Sequence, residues 1–160
     1  MPTTDKIHLD PHALAPRIDR LREQGRVIVL GNGCFDLLHV GHIRYLEAAR
    51  ALGDVLIIAV NTDRSVRINR AQQPPMIPEQ ERMEVIAAIQ AVDFVVPLDD
   101  ALPNALIELF RPNFQAKGTD YSLDRMPERE VVERCGGKIA FVGDPKDHSS
   151  TRIREQIRGQ

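Results

Sequence analysis

The sequence predicts an α/β protein: a parallel β-sheet covered by helices on both faces. Three observations predict it. Short apolar segments alternate with segments of helical periodicity from end to end, the rhythm of strand–helix–strand units joined by right-handed crossovers. One segment, Val55–Val60, is apolar without a break, as expected of a strand buried on both sides. The chain has 160 residues, enough for one domain with one substantial core, and shows no repeat or low-complexity linker that would divide it.

The elements follow in order. Asp10-Pro11 is an N-cap and first-turn pair, and Leu14, Ile18 and Leu21 recur at helical spacing before Gly25, so a helix is expected over about 10–24. Val27–Leu30 is a first strand. Val40–Leu52 is a helix whose turns are marked by Ile43, Leu46 and Arg50, with Gly53 ending it. After the strand Val55–Val60, the polar stretch Asn61–Pro78 holds three of the eleven prolines and is expected to be a long loop. Pro78–Gln90 is a helix with Met83, Ile86 and Ala87 inward, and Phe94–Val96 a third strand. Asp99 or Asp100 is the expected cap of a helix over Leu102–Phe110. Phe114–Ala116 is a strand, Pro127–Cys135 a helix stopped by Gly136-Gly137, and Ile139–Val142 the last strand. Ser149 or Ser150 then caps a final helix to about Ile157.

Composition narrows the function classes. The net charge of −2 supplies no basic field for nucleic acid or an anionic membrane. Aromatic residues are 4% and tryptophan is absent, which argues against a base-stacking platform. Cys34 and Cys135 form no CxxC pair, so neither a disulfide framework nor a structural zinc site is expected. The amino-terminal residues carry no apolar signal segment, and the longest apolar run is too short for a bilayer; the expectation is a cytoplasmic protein with no membrane contact.

One stretch stands out: Gly33-Cys34-Phe35-Asp36-Leu37-Leu38-His39-Val40-Gly41-His42, at the carboxyl end of the first strand, where parallel α/β sheets bind ligands. A dinucleotide fingerprint fails here, because Asp36 stands where the third glycine belongs. A metal site lacks an H-E-x-x-H pattern or a local cysteine partner. Plain helix capping explains one histidine more readily than two flanking a glycine. A phosphate site explains the whole stretch: a helix N-terminus favours anions, Gly41 lets a ligand approach the backbone, and two imidazoles add hydrogen-bond donors. Further along, Ser149, Ser150, Thr151 and Arg152 bring hydroxyls and a guanidinium to a second helix start, suited to a polyphosphate tail or to simple capping. Lys117-Gly118 follows the fourth strand, where the lysine can reach the same crevice or sit in a surface turn.

The Gly33–His42 stretch resembles the G-x-F-D-x-x-H-x-G-H signature of the cytidylyltransferase-like nucleotidyltransferases, and Ser149–Ile153 is similar to their S-[ST]-T-x-I element. Within that family, Asn32–Asp36, Val60–Val66, Glu81-Arg82 with Val92-Asp93, and Lys117-Gly118-Thr119-Asp120-Tyr121 resemble the branch of ADP-heptose synthase adenylyltransferases. The resemblance runs from about Lys6 to Ile157. It implies a Rossmann-like fold and transfer of a nucleoside monophosphate, with pyrophosphate lost. The donor would be ATP with Mg²⁺, no metal ligand being assigned to the protein, and the acceptor a sugar 1-phosphate, D-glycero-β-D-manno-heptose 1-phosphate in that branch.

The resemblance implies site roles as well. His39, His42 and Lys117 would be catalytic. Gly33, Cys34 (through its backbone), Phe35, Gly41, Ser150, Thr151 and Arg152 would hold the nucleotide. Asp36, Asn61, Asp63, Arg70, Asp120 and Tyr121 are candidates for substrate contact. A homodimer, and a sugar kinase either separate or fused, also come with the branch. One segment departs from its K-G-x-x-R-P pattern: Arg70 stands for the lysine, Ala71 for the glycine and Pro74 for the arginine. This departure is the one feature that favours a nucleotide-binding regulator without turnover; the other rivals are a cytidylyltransferase of glycerol 3-phosphate or a similar alcohol phosphate, and an archaeal-type FAD synthetase, which Lys117-Gly118-Thr119-Asp120-Tyr121 disfavours.

Overall fold

In a computed structural model describing residues 1–145 and 150–159, five strands form one parallel sheet in the order β3-β2-β1-β4-β5. They are β1 (Ile28–Gly33), β2 (Val55–Asn61), β3 (Phe94–Leu98), β4 (Phe114–Lys117) and β5 (Lys138–Phe141). Around them lie α1 (Thr3–Lys6), α2 (Pro11–Glu23), α3 (Val40–Arg50), α4 (Asp63–Asn69), α5 (Glu79–Ala87), α6 (Asn104–Phe110), α7 (Arg129–Arg134) and α8 (Ser150–Arg158). The chain builds outward from β1 to β3, then returns to the other side of β1 with β4. The strand order therefore reverses between β1 and β4, which opens a crevice at their carboxyl ends.

Alternation along each strand makes two cores. Val55, Ile57 and Ala59 pack with Leu14 and Ile18 of α2 and with Leu106, Ile107 and Phe110 of α6. Leu56, Ile58 and Val60 pack on the opposite face with Leu46 and Ala49 of α3 and with Met83, Ile86 and Ala87 of α5. Successive side chains point to opposite faces, so a strand central to both cores must be apolar throughout. Helices on both faces are what the sequence predicts.

The structure corrects four local expectations. First, β1 continues through Gly31, Asn32 and Gly33, so the chain turns after these residues and not on them. Gly31 is required inside the strand: a Cβ there would stand 2.5 Å from the Tyr45 hydroxyl, which donates to the Ala116 carbonyl at 2.9 Å. Second, Asn61–Pro78 is not all loop. It contains α4, capped by the Thr62 hydroxyl accepting from the Ser65 N–H. Third, Asp99 does not cap α6; it receives hydrogen bonds from Arg64, chiefly, and from Thr62, which hold its carboxyl below the usual range. Fourth, α1 adds a short turn before α2. Among the described residues no helix is long and apolar enough to cross a membrane. Ser149, one of the two expected caps of α8, lies outside the described residues, as does the side chain of Ser150.

Candidate active site

Where β1 ends, Phe35 adopts a left-handed backbone with φ 51°. That conformation costs a side-chain-bearing residue about 1–3 kcal/mol and persists only where packing enforces it. Here the Phe35 ring is buried beneath the turn, edge-on to His42 at a centroid distance of 5.5 Å. A Cβ on Gly33 would stand 3.0 Å from this ring, so the glycine is what admits it.

The two histidines open α3. The Gly41 N–H donates to His39 Nδ1 at 3.1 Å, and the His39 N–H donates to His42 Nδ1 at 3.3 Å. The rings lie 4.0 Å apart, tilted by 31°. With Nδ1 used as an acceptor, a neutral imidazole carries its proton on Nε2. Local backbone geometry therefore sets both rings to present Nε2–H donors. This amends the expectation drawn from sequence. The helix N-terminus does not offer all its N–H groups to a ligand, because the imidazoles accept at Nδ1 and donate at Nε2.

Burial, reinforced by His39, lowers the pKa of His42 to about 4. The imidazole is neutral at pH 7. An unfolded chain binds this proton near 6.5, so the unfolded state is favoured as pH falls from about 6.5 to 4. We expect thermal stability to drop across that window. Replacing His42 by Asn keeps an acceptor for the His39 N–H and removes the titration. Melting curves against pH should therefore show a smaller acid loss in His42→Asn than in the wild type; parallel curves would refute the assignment.

The turn forms one wall of a cleft of about 560 Å³ at the carboxyl ends of the strands. Gly33, Cys34, Phe35, His39, Gly41 and His42 line it from the β1 side, Asn61 and Arg70 from β2 and α4, Lys117, Asp120 and Tyr121 from β4 and the following loop, and Thr151 from α8. Residues from Gly33 to Thr151 are thus brought together around one cleft. Arg152 is exposed and does not line the cleft, and Asp63 does not line it either. Asn61 lines it while its side-chain amide donates to the Ser65 hydroxyl at 3.1 Å.

Asp36 differs from expectation. It borders the cleft, but its carboxylate is fully buried and accepts from the Met76 and Ile77 N–H groups at 2.9 Å. Arg70 lies 3.6 Å away, and Arg154 of α8 forms a further ion pair with it. Its role is to clamp the segment before α5 and the last helix onto the β1 turn. Asp63 is likewise engaged internally, with Arg82 at 2.7 Å.

Arg82 is the hub that residue patterns did not reveal. It is 1% exposed, and its guanidinium donates to the carbonyls of Cys34 at 2.6 Å, Asn61 at 2.7 Å and Ile77 at 2.8 Å, besides Asp63. Three chain segments, two of which line the cleft, are tied by one side chain. Sequence offered it only as part of the Glu81-Arg82 resemblance. Glu128 was not anticipated at all: it is buried against Lys117 in the cleft wall. Among the described residues no cluster of three or more His, Cys, Asp or Glu could hold a metal ion.

A parallel sheet with a switch-point crevice, and two imidazole Nε2–H donors at the exit of its central strand, define the nucleotidyltransferase class of α/β enzyme. The chain belongs to the cytidylyltransferase-like family, whose model matches residues 30–156. It is 44% identical over 144 residues to the bifunctional protein HldE of Citrifermentans bemidjiense, covering 90% of this chain and 30% of that protein. It is 46% identical to the HldE of Desulfatibacillum aliphaticivorans, over 91% of this chain and 30% of the relative. The chain thus spans about 30% of the length of the curated relatives it matches. A lipopolysaccharide core biosynthesis protein from Thermoplasma volcanium shares the fold, with a TM-score of 0.66 and 25% identity over 76% of this chain and all of that one.

Proposed function

We propose that the chain is a single nucleotidyltransferase domain that transfers AMP from ATP to a sugar 1-phosphate, D-glycero-β-D-manno-heptose 1-phosphate, releasing pyrophosphate and forming ADP-heptose for lipopolysaccharide precursor synthesis. The observation that carries this reading is the pair of imidazoles at the switch point, His39 and His42, whose Nδ1 atoms accept backbone N–H groups and so leave the proton on Nε2. It joins the likeness to proteins named HldE and to a lipopolysaccharide core biosynthesis protein.

The acceptor phosphate is already anionic near neutral pH and needs no general base. Its oxygen attacks the α-phosphorus in line, and the bond to the pyrophosphate oxygen breaks. Charge grows on the α-phosphoryl oxygens, where two preorganised neutral donors stabilise it without deprotonating anything. Lys117 adds a cationic donor from β4. We assign the β- and γ-phosphates to Thr151, with Ser150 and Arg152 next to it at the start of α8, the base and ribose to Asp120 and Tyr121, and the acceptor to Asn61 and Arg70. Mg²⁺ would enter on the polyphosphate and neutralise part of its charge, held by phosphate oxygens and water. The reaction is assigned to the cytoplasm, in a homodimer supplied by a sugar kinase.

The test is pyrophosphate release with Mg²⁺ and heptose 1-phosphate, comparing ATP with CTP. Release with ATP, abolished in His42→Ala, is the expected result. Release with CTP alone moves the enzyme to a cytidylyltransferase. Nucleotide binding without release from either makes it a regulator or shifts the acceptor.

A further inference from the structure

We propose that Glu128 is a positioning residue of the reaction, acting through Lys117. This rests on the nucleotidyltransferase reading of the cleft. Glu128 sits at the start of α7, 1% exposed, with its carboxylate against Lys117 Nζ. The lysine side chain is itself only 10% exposed.

A carboxylate in the wall of a cleft that receives a polyanion is unfavourable by itself, since it repels phosphate. A buried ion pair is also a weak source of stability, because an apolar pair of the same volume would serve as well. What the pair does is place a charge. Lys117 Nζ also meets Asn32 Oδ1 at 3.2 Å and stands 5.3 Å from the centre of the Tyr121 ring. Asn32 is held in turn by Gln115 Nε2 at 3.0 Å. Asn32 accepts one of the three N–H donors of the ammonium, and Glu128 faces it as the counter-charge. The frame spans β1, β4 and α7 across the point where the strand order reverses. It also closes the loop 118–127 against the end of β4.

A double-mutant cycle on the whole chain tests this. Glu128→Gln leaves a buried lysine without its counter-charge. We expect kcat to fall by about 10–100-fold, the usual scale for losing the partner that orients an active group. Lys117→Met should lose at least as much and should weaken ATP binding further, because Glu128 then faces the polyphosphate unpaired. The decisive variant is Lys117→Met/Glu128→Gln. It should be no slower than Lys117→Met alone and should bind ATP more tightly than Lys117→Met does. Its neutral pair also keeps the cycle readable should Glu128→Gln fold poorly. Additive losses, or a double variant that binds ATP worse than Lys117→Met, would overturn the proposal. The ATP-binding arm, read by titration calorimetry, stands without turnover. A wrong acceptor therefore silences the kinetic arm and leaves the binding arm to decide Glu128.

Discussion

His39→Asn and His42→Asn should each lower kcat by about 100–1,000-fold, the scale of losing one preorganised donor to a developing oxyanion. Asparagine is chosen because its side-chain oxygen falls where Nδ1 stood. In the native chain His39 Nδ1 accepts from the Gly41 N–H and His42 Nδ1 from the His39 N–H. Asparagine is also a favoured N-cap, so the start of α3 survives the substitution. The lost feature is Nε2–H. Melting temperatures at pH 7 should therefore stay near wild type while turnover collapses, with a smaller change in KM for ATP. Steady-state pyrophosphate release together with thermal melts would check both halves. Near-normal turnover in both variants would reduce the histidines to capping residues and remove the electrostatic mechanism.

Arg82→Met should be the most destabilising substitution near the cleft. It removes one guanidinium and leaves the carbonyls of Cys34, Asn61 and Ile77 and the carboxylate of Asp63 without it. Breaking a buried charge-assisted network from one side costs about 3–5 kcal/mol. For a domain of this size that is a Tm fall on the order of 10 °C. Arg82→Lys should recover little, since an ammonium cannot present the planar fork that reaches several acceptors at once. Denaturant unfolding of the three proteins would decide the matter; a loss below about 1 kcal/mol for Arg82→Met would show the network to be dispensable.

The predicted strands and most of the helices stand in the structure within a few residues, because a strand buried on both faces must be apolar and a half-buried helix must repeat its apolar residues. Helix α4 was not legible for the same reason. Its buried residues are only Ser65 and Val66, and a polar helix capped by Thr62 leaves no apolar period to read. The sequence pattern ends the first strand early because Gly31 and Gly33 look like turn residues. Their need arises from Tyr45 and Phe35, which reach them only in the folded chain.

By itself the sequence determined the α/β alternation, the placing of His39 and His42 at a strand exit, and the family to which they belong. These depend on neighbours along the chain, where periodicity and motif spacing act. Tertiary structure alone decided the strand order, and with it the crevice between β1 and β4. It also decided what the charged residues do. Asp36 meets backbone 40 residues away at Met76, Arg82 meets a carbonyl 48 residues away at Cys34, and Lys117 is held by Glu128 from another element. A lone charge in a sequence carries no sign of its partner. Only the fold chooses which opposite charge is near enough, and dry enough, to hold it.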